Sequence, residues 1–232
     1  MDAPRSVSPP AINLISRGEE QLTDTESLGL GQLHIGASDT ICRYFLVPYF
    51  KQFHQKFPHV PIKVTNATSP ACAKLLEQGK ADLIVTNYPN SGLNHFRIRK
   101  TVRIFHDVFI ANPAYFNLNG QELSFRDLKE YPILMLSKKS ATSEFLHSLF
   151  LQYQLELMPE IELNSNDLLI DLARIGLGIA FIPDYCLTDH TEDLFILRTK
   201  EIIPSRSIAV SVNESLPISA SAEEFLKLLP ET

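Results

Sequence analysis

The sequence predicts an α/β protein of two similar lobes with mixed, mostly parallel sheets, joined by two crossover segments. Three observations lead there. One plan (strand, polar loop, helix, strand, polar loop, helix, glycine, strand) occurs twice along the chain. Within each copy, apolar strand-like runs alternate with helix-like runs, as right-handed βαβ units of a parallel sheet require. Two further strand-like runs, VRIFHDVFIA over 102–111 and SIAVSV over 207–212, stand where the chain would leave the first lobe and return to it.

The first copy has a strand over 33–36, loop Ser38-Asp39-Thr40, a helix over 40–57 and a strand over 62–65. Loop 66–69, a second helix, Gly79 and a strand over 82–85 complete it. The second copy has a strand over 133–136, loop 137–143, a helix over 143–153 and a strand over 161–163. It closes with loop 164–167, another helix, Gly176 and a strand over 178–182. From first loop to second is about 28 residues in one copy and about 27 in the other.

Residues 1–10, with three prolines, read as an unstructured leader or an expression scar. Ile12, Ile15 and Leu22 recur at helical spacing, so 11–22 reads as the frayed end of a longer helix. The resulting division is 1–27 for the leader and helix end, 28–94 with 213–232 for lobe I, and 95–212 for lobe II.

The helix over 40–57 is apolar on more than one face. Ile41, Phe45, Tyr49 and Phe53 form one stripe, and Tyr44, Leu46, Val47, Phe50 and Phe57 spread past it. Pro48 lacks an N–H, so the regular helix is expected from near Val47. Surplus apolar surface on so small a lobe implies a face buried by another subunit. Ser69-Pro70 reads as a hydroxyl N-cap followed by proline at the first helical position, and Gly79 as a left-handed cap. Ser221-Ala222-Glu223-Glu224 reads as a capping box. It opens a short helix carrying Phe225, Leu226 and Leu229, which docks on the first lobe and stops at Pro230.

Bulk properties exclude several functions. A net charge of −6 disfavours a phosphate backbone as partner. No apolar run approaches membrane-spanning length and the start has no signal-peptide core, so a cytoplasmic protein without membrane contact is expected. Three cysteines, Cys42, Cys72 and Cys186, without a CxxC pair fit a reducing compartment. The histidines show no HExxH or other ligand spacing, so neither a metal site nor a cofactor is expected. Enzyme motifs are missing as well. Gly36-Ala37-Ser38 lacks the second glycine of a nucleophile elbow, Gly176-x-Gly178 precedes a strand instead of following one, and there is no P-loop.

Several stretches together resemble the effector-binding region of LysR-type transcriptional regulators. They are GQLHIGASDT, then LVPYF-x2-F-x3-FP-x-VPIKV, then LLEQGKADLIV and, later, ARIGLGIAFIP. The resemblance runs in order over roughly 11–231. It implies a periplasmic-binding-protein-like (type 2) fold, a small-molecule effector in the inter-lobe cleft, and a homodimer, becoming a tetramer in the full-length protein. It also implies that the 40–57 helix packs on the second-lobe helix of a neighbour, through Phe145, Leu146, Leu149 and Phe150. The family's N-terminal winged helix-turn-helix is not in this sequence, so the chain reads as a regulatory domain whose DNA contact lies in a part not present. A stand-alone solute-binding protein of the same fold is the alternative.

The binding residues follow from the polar loops. Helix N-termini offer unpaired N–H groups and a partial positive charge to carboxylate or phosphate oxygens. Ser38, Thr40, Thr68, Ser69, Ser140, Thr142 and Asn166 sit at such starts. Any one of them serves equally well as a cap for its own helix. Four such loops at matched places point instead to a small polar or anionic ligand. Lys138 and Lys139 are placed to neutralise an anion, Asp39 opposes a strongly anionic one, and Asn87 follows a strand on the hinge side. Cys42 and Cys72 lie in first turns of predicted helices, a setting that lowers a thiol pKa and suggests a redox role, against the commoner one of small buried hydrophobes.

Overall fold

Leu33, Ile35 and Ala37 point into the core from β1 (Leu33–Ala37), the strand around which the first repeat is built. The computed structural model describes residues 31–89, 91–93, 96–187 and 193–232, together with Ile12 and Ile15. Both isoleucines are helical and exposed; the rest of the expected 1–10 leader and 11–22 helix lies outside the described residues. The chain forms two compact units. Unit 1 is Met1–Thr86, Gly92–Arg103 and Ala209–Thr232; unit 2 is Asn87–Ser91 and Ile104–Ile208. The expected crossings stood at 94/95 and 212/213, whereas these units divide at 86/87, 91/92, 103/104 and 208/209, three of these points lying inside strands.

In unit 1, β1 runs parallel to β2 (Ile62–Asn66) on one side and to β3 (Leu83–Tyr88) on the other. Between β1 and β2 the chain is helical in three pieces: α1 (Asp39–Ile41), a π-helical stretch Cys42–Leu46, and α2 (Val47–Lys56). The widened turn has an identifiable cause. Pro48 has no N–H and its ring crowds the carbonyl four residues back, and the Val47 N–H reaches five residues back to Cys42 O. The regular helix thus starts at Val47, as expected.

Helix α3 (Ser69–Glu77) packs Cys72, Ala73 and Leu76 against Ile84 of the sheet. Its N-cap is Thr68 and not Ser69, which is buried as the first helical residue. Pro70 is tolerated one position later than expected because the second N–H of a helix is also unpaired. Gly79 closes the segment at φ 64°, as its left-handed role requires.

The run over 102–111 is not one strand. It breaks at His106 into β4 (Ile98–Phe105) and β5 (Asp107–Ala111), which lie in different sheets. The break is fixed by the His106 N–H, which donates to Asp184 Oδ2 at 3.2 Å. The returning strand appears as β12 (Arg206–Val212), and the first sheet has the order β2-β1-β3-β12-β4. Helix α7 (Ala220–Leu228) then docks on unit 1, where Phe225 meets Phe50 and Phe53 at ring-centre distances of 5.9 and 5.7 Å. Part of the surplus apolar surface of α2 is therefore covered within the chain, although Val47 is 55% exposed. The cap of α7 is Ser219, whose hydroxyl accepts from the Ala222 N–H, and not Ser221. Ser221 is fully buried and donates to Gln32 O, which removes it from capping.

Unit 2 repeats the plan. β6 (Glu122–Leu123) and α4 (Phe125–Leu128) precede β7 (Ile133–Leu136), α5 (Ala141–Gln152), β8 (Ile161–Leu163), α6 (Asn166–Arg174) and β9 (Ile179–Pro183). β10 (Phe195–Ile196) and β11 (Arg198–Thr199) follow. The five-stranded sheet has the order β10-β5-β9-β7-β8, parallel from β9 through β7 to β8 and antiparallel across β10, β5 and β9. Its core stacks Phe125 on Phe150 and tilts Phe109 against Phe181, both pairs 4.7 Å apart. Leu146, Leu149 and Phe150 are consumed by that core, with Phe145 packed at its margin, so they do not form the free α5 face expected for a neighbouring subunit. Gly178 is required by crowding: a Cβ there would stand 2.4 Å from Pro132 O.

Candidate functional site

Each unit gathers its polar loops at one end of its sheet. In unit 1, parallel pairing aligns Ala37 with Asn66, so the loops after β1 and β2 leave side by side. The Ala67 N–H donates to Ala37 O at 3.1 Å, and Asn66 Nδ2 donates to Asp39 Oδ1 at 3.4 Å. Unit 2 repeats the device: Leu136 aligns with Leu163, the Ser137 N–H donates to Leu163 O, and the Ser137 hydroxyl donates to Asn164 Oδ1. Ser38, Asp39, Thr40, Thr68 and Ser69 thus form one group, and Lys138, Ser140, Thr142 and Asn166 another.

Within these groups the hydroxyls are not equivalent. Ser38 accepts from the Ile41 N–H at 3.3 Å and Ser140 from the Ser143 N–H at 3.0 Å, so each caps its own helix. Thr68 is half-buried at the start of α3, and its hydroxyl makes no capping bond. Asp39, Lys138 and Lys139 are exposed, whereas Ser69, Thr142 and Asn166 are buried. The cap of α6 is Ser165, with Asn166 one residue inside. Asn87 does not follow its strand but lies within β3, buried, where it accepts from the Tyr185 hydroxyl at 3.4 Å. Burial holds that phenol well above its ordinary pKa.

The cysteines correct the expectation of lowered pKa values. Burial, with Asp39 adding to it, pushes the Cys42 thiol up to about 11. Burial, with Cys42 adding to it, pushes Cys72 up to about 12. Cys72 has no exposed surface, and its thiol faces Ala67 O at 3.5 Å. Near pH 8 a thiol of pKa 11 is roughly one part in a thousand thiolate. Iodoacetamide should therefore label Cys42 and Cys72 of the folded protein at least tenfold more slowly than a free thiol. Labelling at the free-thiol rate would restore the reactive reading.

Sequence reasoning missed a buried ion pair in unit 2. Arg206 Nη1 donates to Asp107 Oδ2 at 3.0 Å and to the Thr142 hydroxyl at 3.2 Å, and neither charged side chain has exposed surface. Burial raises the Asp107 carboxyl above its ordinary pKa, and Arg206 pulls it back. The available signal was slight: Asp107 lies inside the 102–111 run, and Arg206 immediately precedes the 207–212 run. Among the described residues, no cluster of His, Cys, Asp or Glu could hold a metal ion, and no helix is long and apolar enough to cross a membrane.

Two α/β units built on mixed sheets, each with polar loops at one end of its sheet, give a periplasmic-binding-protein-like type 2 fold. The structure resembles the CcmR regulatory domain of Synechocystis, solved in complex with 2-PG. That match has a TM-score of 0.75 at 20% identity and covers 84% of this chain and 94% of that domain. It also resembles the effector-binding domain of QuiR in complex with shikimate, with a TM-score of 0.68 at 15% identity over 85% of this chain and 94% of that domain. The chain belongs to the LysR substrate binding domain family, which matches residues 27–232. Among curated relatives, EstR of Acinetobacter baylyi, an HTH-type transcriptional regulator, is 21% identical over 204 residues. That alignment takes in 86% of this chain but 66% of EstR, just under two thirds of the relative's length.

Proposed function

We propose that this domain is the sensory part of a LysR-type transcriptional regulator. It binds a small polar or anionic effector through polar loops at its helix starts, and passes the signal to a DNA-binding domain elsewhere in the protein. The observation that carries this reading is the repeated pairing of helix-start loops at the sheet ends, in a chain of the LysR substrate binding domain family. The relatives that bind 2-PG and shikimate support an effector of that polarity. The role is binding and not catalysis, the setting is the cytoplasm, and the assembly is a homodimer. The dimer should show by light scattering; a monomer at tens of micromolar would contradict it.

The binding claim is tested by thermal shift with small carboxylates, amino acids and sugar phosphates. A ligand at about 100 times its dissociation constant adds roughly 2.7 kcal/mol of stability, several degrees for a chain of this length. Replacing Thr68 by alanine should cost about 1–3 kcal/mol of binding, since a ligand oxygen loses a donor. Because Thr68 makes no capping bond, Thr68→Ala reports on binding more cleanly than Ser38→Ala, which also removes a cap. A ligand whose shift is the same in wild type and both variants would place the site elsewhere.

A further inference from the structure

Arg206 is paired at one corner only. Its Nη1 serves Asp107 and Thr142, and the flat faces of the guanidinium are occupied too, its carbon lying 5.5 Å from the Phe105 ring centre and 4.8 Å from that of Phe145. Nε and Nη2 are buried without a hydrogen-bond partner. In arginine those two N–H groups run parallel along one edge, at the spacing of two oxygens of a carboxylate. Native proteins pair nearly all their buried donors, so an orphaned fork of this geometry needs an explanation. A second orphan stands nearby in the chain: the buried Ser143 hydroxyl, next to Thr142 in the first turn of the 12-residue helix α5. Unpaired N–H groups and the helix dipole favour an anion there.

We propose that the Nε–Nη2 edge of Arg206, with the Ser143 hydroxyl, is a binding site for a small carboxylate in unit 2. This rests on the reading of the α5 start as part of the effector site, and it names the chemical class the site takes. Asp107 limits the class further. Its carboxylate shares the guanidinium and its Oδ1 is buried without a partner, so a second full negative charge on the ligand would be repelled. The site therefore prefers a monocarboxylate to a phosphate dianion.

The test follows the arginine Nε–H signals of the full chain by ¹⁵N-edited NMR during titration with acetate, propionate, inorganic phosphate and neutral acetamide. Arg206 is assigned in the wild-type chain by through-bond correlation of its side chain to its backbone. The Arg206 signal should move saturably with the monocarboxylates below roughly 50 mM, enough to fill a millimolar site, and stay still with acetamide. Arg206→Lys keeps the charge without the fork and should weaken carboxylate binding at least tenfold. Ser143→Ala should weaken it severalfold while leaving the fold intact, and it decides the matter with the wild-type titration if Arg206→Lys does not fold. No saturable shift, or equal affinity in wild type and variants, would overturn the proposal; so would phosphate binding more tightly than the carboxylates. Carboxylate binding that needs Arg206 but is unchanged in Thr68→Ala keeps this inference and removes Thr68 from the proposed effector site. An effector that needs Thr68 but ignores Arg206 does the reverse.

Discussion

Replacing Arg206 by methionine should destabilise the folded domain by about 3–5 kcal/mol, because it strands the buried Asp107 carboxylate without its cation. For a chain of this size that is a drop of roughly 6–20 °C in Tm. The loss has a pH signature. Burial already holds the Asp107 carboxyl above its ordinary pKa, and Arg206 is the main influence pulling it down. A carboxyl raised in the folded state favours the fold when protonated. That contribution is complete below the unfolded value of about 4 and is lost as pH rises through the folded value. Removing Arg206 raises the folded value further, so the deficit of Arg206→Met against wild type should be largest near neutral pH and shrink as the solution is acidified toward pH 5. Urea unfolding at the two pH values measures it. Adding Asp107→Asn to the variant should recover most of the loss. A deficit that is the same at both pH values and survives Asp107→Asn would mean that packing, and not charge, dominates at Arg206.

A comparable loss is expected from Phe225→Ala, about 3–5 kcal/mol, since the ring is fully buried and meets both Phe50 and Phe53 of α2. Its consequence is local as well as global. Helix α7 and helix α2 share that contact, so amide exchange should accelerate in both helices before β7 and β9 are affected. Unchanged protection in α2 would show that α7 is not what holds it. Val47, on the exposed side of the same helix, should tolerate alanine with a change within about 0.5 kcal/mol in the isolated chain.

Much of the fold was legible because each strand is a short apolar run bounded by polar or glycine-rich turns. β7 and β8 fall on the residues the runs predict, and Gly79 has the positive φ that its place after α3 requires. The helix caps were harder to read. Thr68 and Ser69 are adjacent hydroxyls and Ser219 and Ser221 stand two apart, and only burial decides which one faces the helix N-terminus and which is spent in the core. The 102–111 run reads as continuous because Ile104 and Phe105 precede the polar pair His106-Asp107 and Val108 and Phe109 follow it. The break depends on Asp184, 78 residues away, which no local pattern announces.

The candidate site shows the same divide. Loop positions could be read from strand ends, and the pairing of loops follows from parallel neighbours. Which side chains remain available could not, since Thr142 turns inward to Arg206 while Thr68 is left without a capping bond. The cysteine expectation failed for a related reason. A place in the first turn of a helix lowers a thiol pKa only where the thiolate is solvated, and burial outweighs the helix at Cys42 and Cys72. The Arg206–Asp107 pair joins residues 99 apart, too far for any local pattern to link them.

On the proposed function, this chain holds one small polar or anionic effector on its helix-start loops. Native mass spectrometry of the purified domain after incubation with a small-metabolite extract is the decisive measurement. A single adduct of low mass per chain is expected, identified after release as a polar or anionic molecule and depleted at least severalfold in Thr68→Ala at equal protein folding. A wild-type domain that emerges without any adduct from such an extract, or one whose adduct is apolar and indifferent to Thr68, would contradict it.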